Sequence, residues 1–150
     1  MTELDIRPVR GNELRRVAQM NIQLQRDEGS REMSTEDALA RLERWLKKTY
    51  RCIVFTQAGK IIGYAVYRPT NPDAEGHLGG IYVRQFFVVP ALRRHGIGRR
   101  AFTLLRAEVF PRGCYVTLSA RSQNHAGQVF WQSLGFVPHS VRYELDCRPD

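Results

Sequence analysis

The sequence predicts a mixed α/β domain, and three observations carry that reading. Short apolar runs of strand character alternate with segments whose apolar residues recur every three to four positions. A turn at Ala58-Gly59-Lys60 joins two strand-like runs into a hairpin. A glycine- and arginine-rich turn follows another apolar run and opens a helical pattern. The resulting order is strand, two helices, three strands, helix, strand, helix, strand, with hairpins early and crossover helices late. The chain has 150 residues, enough for one core, so residues 1–150 are expected to form a single domain.

Residues 6–9 read as a short strand. Asn12 is placed to cap a helix whose inner face is Leu14, Val17, Ala18 and Ile22. That pattern fades at Asp27-Glu28-Gly29-Ser30. Ser34 starts a second helix, with Asp37 three residues on as a capping-box signal and Ala38, Leu42, Trp45 and Leu46 facing inward. Residues 51–57 and 61–67 are the hairpin strands. Pro69, Asn71, Pro72, Gly76, Gly79 and Gly80 mark a loop. The run 81–89 is a strand that stops at Pro90. A helix carrying Ile97, Ala101, Leu104 and Leu105 ends before Pro111 and Gly113. Residues 114–119 form another strand. Asn124 opens a helix with Val129, Phe130 and Leu134, stopped by Gly135. A last strand is expected over 141–145.

Hydrophobic residues make up 43% of the chain and charged residues 25%, an ordinary globular balance. No apolar run reaches the length of a membrane span, and the N-terminus lacks the basic start and apolar centre of a signal peptide. The default expectation is a cytoplasmic protein with no membrane partner. Cys52, Cys114 and Cys147 are far apart, without CxxC or zinc-ligand spacing, so no metal is expected. Cys52 and Cys114 read as buried thiols. The formal charge of +8 would attract nucleic acid, a membrane surface or an anionic small molecule. Yet Arg7, Arg15, Arg16, Lys47, Lys48, Arg112 and Arg142 are scattered, without the aromatic and basic interleaving of single-strand binders, which argues against nucleic acid.

Charge concentrates only in Arg93-Arg94-His95-Gly96-Ile97-Gly98-Arg99-Arg100. There it coincides with a helix N-terminus, whose first N–H groups lack partners and whose dipole favours an anion. Gly96 and Gly98 would let the backbone approach an oxyanion closely. The ligand this implies is a small molecule carrying a pyrophosphate. Gly96 to Ala101 also matches the dinucleotide pattern G-x-G-x-x-A, but the context does not. In that fold the strand runs almost directly into the first glycine. Here Pro90 to His95 intervene, and the next strand ends without an acidic residue for a ribose hydroxyl.

Val88, Pro90, Arg93, Gly96 and Gly98 fit the apolar V-x-P strand end and the Gln/Arg-x-x-Gly-x-Gly/Ala turn of a known family. Asn124, Phe130-Trp131 and Leu134-Gly135-Phe136 fit that family's second signature, an Asn-initiated helix ending in Gly-Phe. The chain resembles the GNAT family of acyl-CoA N-acyltransferases over nearly its whole length. The resemblance implies a central mixed, mostly antiparallel sheet with splayed strands and about four helices. It also implies an N-acetyltransferase that uses acetyl-CoA as co-substrate, moving an acetyl group directly to a primary amine.

By that resemblance, the exposed backbone of Phe87, Val88 and Val89 would pair with the pantetheine amides. The amides of Arg94, His95, Gly96, Ile97, Gly98 and Arg99 would hold the pyrophosphate, with Arg93 contacting phosphate or bracing the loop. His95 itself reads as an exposed loop residue. Asn124 has two compatible roles, helix cap and pantetheine partner, and Phe130 and Trp131 would flank the pantetheine. A backbone N–H near Val88 would polarise the thioester carbonyl. Catalytic side chains depart from the family pattern. Trp131 stands where a tyrosine often protonates the leaving thiolate, and an indole is no acid. Tyr82 and Gln85 are the candidates to hold a water near the amine, and Tyr143 is the first alternative acid. Asp27 and Glu28, between the first two helices, would steer the acceptor, which would be a small-molecule amine or a protein amino group. Only about ten residues follow Phe136 before Arg148-Pro149-Asp150, so one family strand is missing. An exposed edge invites pairing, which predicts a homodimer through the segment from Val137 onward. The rival function is a non-catalytic coenzyme A-binding or interaction domain.

Overall fold

The hairpin expected at Ala58-Gly59-Lys60 forms the middle of the sheet. Ala58 and Gly59 have φ of 52° and 77°, the two positive values that match the twist of tightly joined strands. The computed structural model describes residues 3–149 except 75, 77 and 78. Its elements are β1 (Leu4–Pro8), α1 (Leu14–Asp27), α2 (Thr35–Leu46), β2 (Arg51–Gln57), β3 (Lys60–Thr70), β4 (Gly80–Val88), α3 (Ile97–Leu104), β5 (Tyr115–Thr117) and α4 (His125–Ser133). The strands form one sheet in the order β1-β2-β3-β4-β5. All neighbours are antiparallel except β4 and β5, which run parallel. This is the mixed, mostly antiparallel sheet with four α-helices that the resemblance implied.

The middle strands are apolar on both faces because both are covered. On one face Phe55, Tyr67, Ile81, Val83 and Val88 pack with Ile97, Ala101, Phe102 and Leu105 of α3 and its continuation. On the other, Val54, Tyr64, Val66 and Phe87 pack with Val17 and Met20 of α1 and Leu42 of α2. Cys52 is buried in this second layer, and burial pushes its thiol up to about 12. That is a structural, unreactive thiol.

Several local expectations hold. Ser34 Oγ accepts the Asp37 N–H at 3.1 Å, and Asn124 Oδ1 accepts the Gly127 N–H at 3.0 Å, so both predicted caps form. Others are corrected. Asn12 is no cap. A 3-10 turn, Gly11–Glu13, precedes α1, and the Glu13 carboxylate closes it on the Arg10 N–H at 2.8 Å. β3 continues through Pro69 to Thr70 rather than stopping in a loop. β2 ends at Arg51 opposite Tyr67, so at Pro69 the flank facing β2 is already vacant and proline breaks no ladder there. The strand expected over 114–119 shrinks to three residues. The last strand, 141–145, does not form. Val141, Tyr143 and Leu145 are 74%, 90% and 86% exposed. A strand has to pair, and the free edge beyond β5 is only three residues long.

Candidate active site

The site begins with an irregularity in β4. Its register against β3 shifts between Val66 and Tyr67, which makes Arg84 an extra residue. The bulge turns Arg84 and Gln85 to the same face. Arg84 lies over the Trp45 ring at 4.6 Å, and Gln85 Oε1 accepts the Tyr64 hydroxyl at 3.0 Å. After the bulge, Phe86 and Val88 face the α3 side.

β4 and β5 pair only where Gly80 to Tyr82 meet Tyr115 to Thr117, and beyond that they part. The Val89 N–H donates to the Ile62 carbonyl at 2.9 Å. By the alternation of an antiparallel ladder, residues 85 and 87 also face β3, so of the expected Phe87, Val88 and Val89 only Val88 turns its backbone to the gap, joined there by Phe86. Arg93 Nε already holds the Val88 carbonyl at 2.8 Å. The splay therefore offers unpaired strand backbone to an extended ligand.

The gap runs into the glycine-arginine turn. Arg94 and Gly96 are both left-handed, at φ 67° and 76°. Arg100 N–H to the Gly96 carbonyl, 3.0 Å, opens the α3 ladder, so the N–H groups of Ile97, Gly98 and Arg99 have no helical acceptor. Left-handed residues feeding a helix N-terminus make an anion-binding concavity. Arg94, His95 and Arg99 are exposed around it.

The two glycines do different work. A side chain on Gly96 would meet nothing within 4 Å, and the positive φ is what requires glycine. A Cβ on Gly98 would lie 3.1 Å from the Phe130 ring. Gly98 therefore has a second reason to be small besides close approach to an oxyanion: it lets α4 pack on α3. That packing is aromatic. Phe86 meets Phe130 at 5.8 Å and Trp131 at 5.2 Å between ring centroids, and Trp131 reaches Phe136 at 5.3 Å. Phe130, Trp131 and Asn124 remain half-buried on the flank of the gap. Arg99 ties the end of α4 down through the Ser133 carbonyl at 2.9 Å.

The model of the acetyltransferase (GNAT) family matches residues 17–136. The chain belongs to the GNAT acetyltransferase family. No curated protein matches it. Among solved structures it resembles the aminoglycoside N-acetyltransferase AAC(6')-Iy in complex with CoA, at 19% identity and TM-score 0.74, covering 98% of this chain and 97% of that one. A possible acetyltransferase from Clostridium difficile 630 matches at 16% identity and TM-score 0.77, over 97% and 99%. The aminoglycoside 6'-N-acetyltransferase AAC(6')-IG from Acinetobacter haemolyticus matches at 16% and 0.71, over the same shares.

In this GNAT chain the remaining predicted site residues are placed unevenly. Asp27 is not a free steering charge: Arg93 Nη2 bonds it at 2.5 Å and Gln23 Nε2 at 2.9 Å. Arg93 consequently serves as a brace, joining the end of α1 to the Val88 carbonyl. Glu28 is half-buried, and burial raises its carboxyl above the usual range while the Arg121 guanidinium opposes the shift. Tyr82 is half-buried on the α2 side of β4, with the Arg68 guanidinium 5.2 Å from its ring. Tyr143 lies on the tail after α4, with its side chain exposed rather than packed in the gap.

Sequence reasoning missed a polar cluster on the α1–α2 face. Asn21 and Gln25 are only 5% and 6% exposed. Asn21 Oδ1 accepts Gln25 Nε2 at 2.9 Å and Arg41 Nη2 at 3.0 Å, and Gln25 Oε1 accepts the Met33 N–H at 2.7 Å. Tyr64 is fully buried beside them, and burial raises its phenol far above the ordinary value. One signal was available. Asn21 and Gln25 stand four apart on the stripe of α1 that carries Val17 and Ala18, where polar side chains need partners.

Proposed function

We propose that this protein transfers an acetyl group from acetyl-CoA to a primary amine by direct attack with both substrates bound. The observation that carries the reading is the continuity of the splayed strand with the N–H cradle. The backbone of Phe86 and the N–H of Val88 face the gap, and the turn after Pro90 leads from there to the orphan N–H groups of Ile97, Gly98 and Arg99. A long ligand with amides at one end and a pyrophosphate at the other fits that sequence of groups. The coenzyme supplies an activated acetyl thioester and a good leaving group.

The chain supplies the rest. The Val88 N–H, aimed into the gap, is the donor for charge developing on the acetyl oxygen. Glu28 is the best-suited proton acceptor for the attacking ammonium. It is a carboxylate with a raised pKa at the end of α1, beside the Arg93 brace. Tyr82 and Gln85 keep the secondary role of ordering a water. Trp131 donates no useful proton, so the thiolate leaves unassisted. Its pKa is about that of cysteine, ~8.5, so at pH 7 the missing acid costs only on the order of 30-fold.

Calorimetric titration with acetyl-CoA, followed by thiol release over a panel of amines, tests the proposal. Binding together with turnover of at least one amine is expected. Binding without any turnover would instead favour the non-catalytic coenzyme A-binding domain.

A further inference from the structure

We infer that the acceptor amine also carries a carboxylate, as a free amino acid does, and that Asn21, Arg41 and Arg84 hold it in the cleft between α1, α2 and β4. This rests on the acetyl-transfer reading above and names the substrate class for it.

The cleft is lined by Val17, Asn21, Arg41, Leu42, Trp45 and Gln85. Its unspent polar groups are donors. The Asn21 amide is fixed in orientation, because its oxygen accepts from both Gln25 and Arg41. That leaves Asn21 Nδ2 buried near the Tyr64 hydroxyl but without a hydrogen bond of good geometry, and Arg41 Nε is buried without a partner. Gln85 has its oxygen on the Tyr64 hydroxyl, which leaves its NH2 group to donate. In this conformation the cleft is too tight for a water, so solvent does not satisfy these groups, each carries a desolvation cost, and a ligand oxygen reaches them only as the Arg41 side chain shifts.

The charge points the same way. Arg41 and Arg84 both lie 4.6 Å from the Trp45 ring centroid, one guanidinium from α2 and one from the β4 bulge. Among the described residues no carboxylate oxygen lies within 4.0 Å of either. Burial and the neighbouring Arg84 charge both disfavour the charged form of Arg41. A carboxylate between them would relieve the repulsion, accept from both forks and take the Asn21 N–H. Arg84 is exposed, and a single hydrogen bond, Nη1 to the Tyr50 hydroxyl at 3.2 Å, is what it gives up to turn toward the ligand. Gln85 immediately precedes Phe86, whose backbone lines the gap. A carboxylate in the cleft therefore sets an amine on the same small molecule close to the thioester.

The test is thiol release by the intact protein with the common amino acids and, for each, its carboxamide. The expected result is that at least one amino acid is acetylated with kcat/KM tenfold or more above its amide. Arg41→Gln, and independently the surface variant Arg84→Gln, should cut that preference to less than threefold while acetyl-CoA affinity in calorimetry stays within twofold. Simple amines or amides used as well as amino acids would overturn the inference and leave acetyl transfer standing. So would a preference that survives in both variants, or acetyl-CoA binding with no turnover of any carboxylate-bearing amine. Failure to bind acetyl-CoA at all would remove both readings.

Discussion

Asp27, in the last turn of α1, holds the guanidinium of Arg93 at 2.5 Å across 66 residues of chain. The same guanidinium bonds the Val88 carbonyl at 2.8 Å and stacks over Phe87 at 5.2 Å. One side chain thus sets the position of the turn relative to both the helix that borders the acceptor and the strand that borders the gap. Arg93→Ala should weaken acetyl-CoA binding by about 1.5–3 kcal/mol, since it loses the strand carbonyl and the carboxylate together. Asp27→Asn keeps the carbonyl bond and should cost under about 1 kcal/mol, as expected of a partly exposed pair. Calorimetry on the two single variants and the double variant checks the order. Equal effects would mean that the carbonyl contact is irrelevant.

Gly98 should prove a packing residue as well as a phosphate neighbour. Gly98→Ala presses on the Phe130 ring, and overpacking of this kind costs about 1–3 kcal/mol. The Phe130→Leu background should return much of that loss by opening space. Gly96→Ala keeps its space but strains the left-handed backbone, by about 1–2 kcal/mol, and no change at Phe130 should rescue it. Thermal denaturation of the four variants decides between the two explanations.

Glu28 gives a pH signature. Burial raises its folded pKa, so its charged form is penalised in the native state at pH values above that pKa. Glu28→Gln should make the protein slightly more stable at neutral pH and leave stability unchanged well below pH 4, where the wild-type carboxyl is protonated. As the proton acceptor it works only when ionised, so kcat/KM should rise with pH through its titration. The Gln variant should lose on the order of 100-fold in kcat. A Gln variant that is more stable and equally active would confine Glu28 to a structural role.

What the sequence revealed and what it hid follow from range. The hairpin, both caps and the strand-turn-helix of the coenzyme site are written in neighbouring residues. Ser34 and Asp37, or Val88 to Gly98, suffice to name them. The partner that keeps Gly98 small is Phe130, 32 positions on, and no local pattern announces it. The bulge that turns Arg84 beside Gln85 arises from the β3–β4 register, which alternation alone does not carry. Asp27 read as a charge steering the acceptor and Arg93 as a phosphate contact or loop brace; that the two pair is a tertiary contact no local pattern shows. Residues 141–145 read as a strand by alternation, yet alternation specifies a face and not a partner.

That tail motivates a homodimer. Val137 is 82% exposed and is followed by the exposed Val141, Tyr143 and Leu145, an apolar series that a monomer leaves in water. A second copy has a matching segment to pair with. Light scattering at micromolar concentration should give about twice the 17.3 kDa chain mass. Tyr143→Asp with Leu145→Asp should return it to one chain, and a monomeric parent protein would contradict the pairing.

The central claim is that the splayed β4 and the N–H cradle of α3 form one coenzyme site. The most direct measurement is calorimetric titration of acetyl-CoA, and of dephosphorylated pantetheine lacking the nucleotide, into the parent protein and the Arg93→Ala variant. The account predicts one site per chain for acetyl-CoA, at least tenfold weaker binding in the variant, and much weaker binding of pantetheine to both proteins. Acetyl-CoA binding that is absent in the parent, or unchanged in the variant and matched by pantetheine, would contradict it.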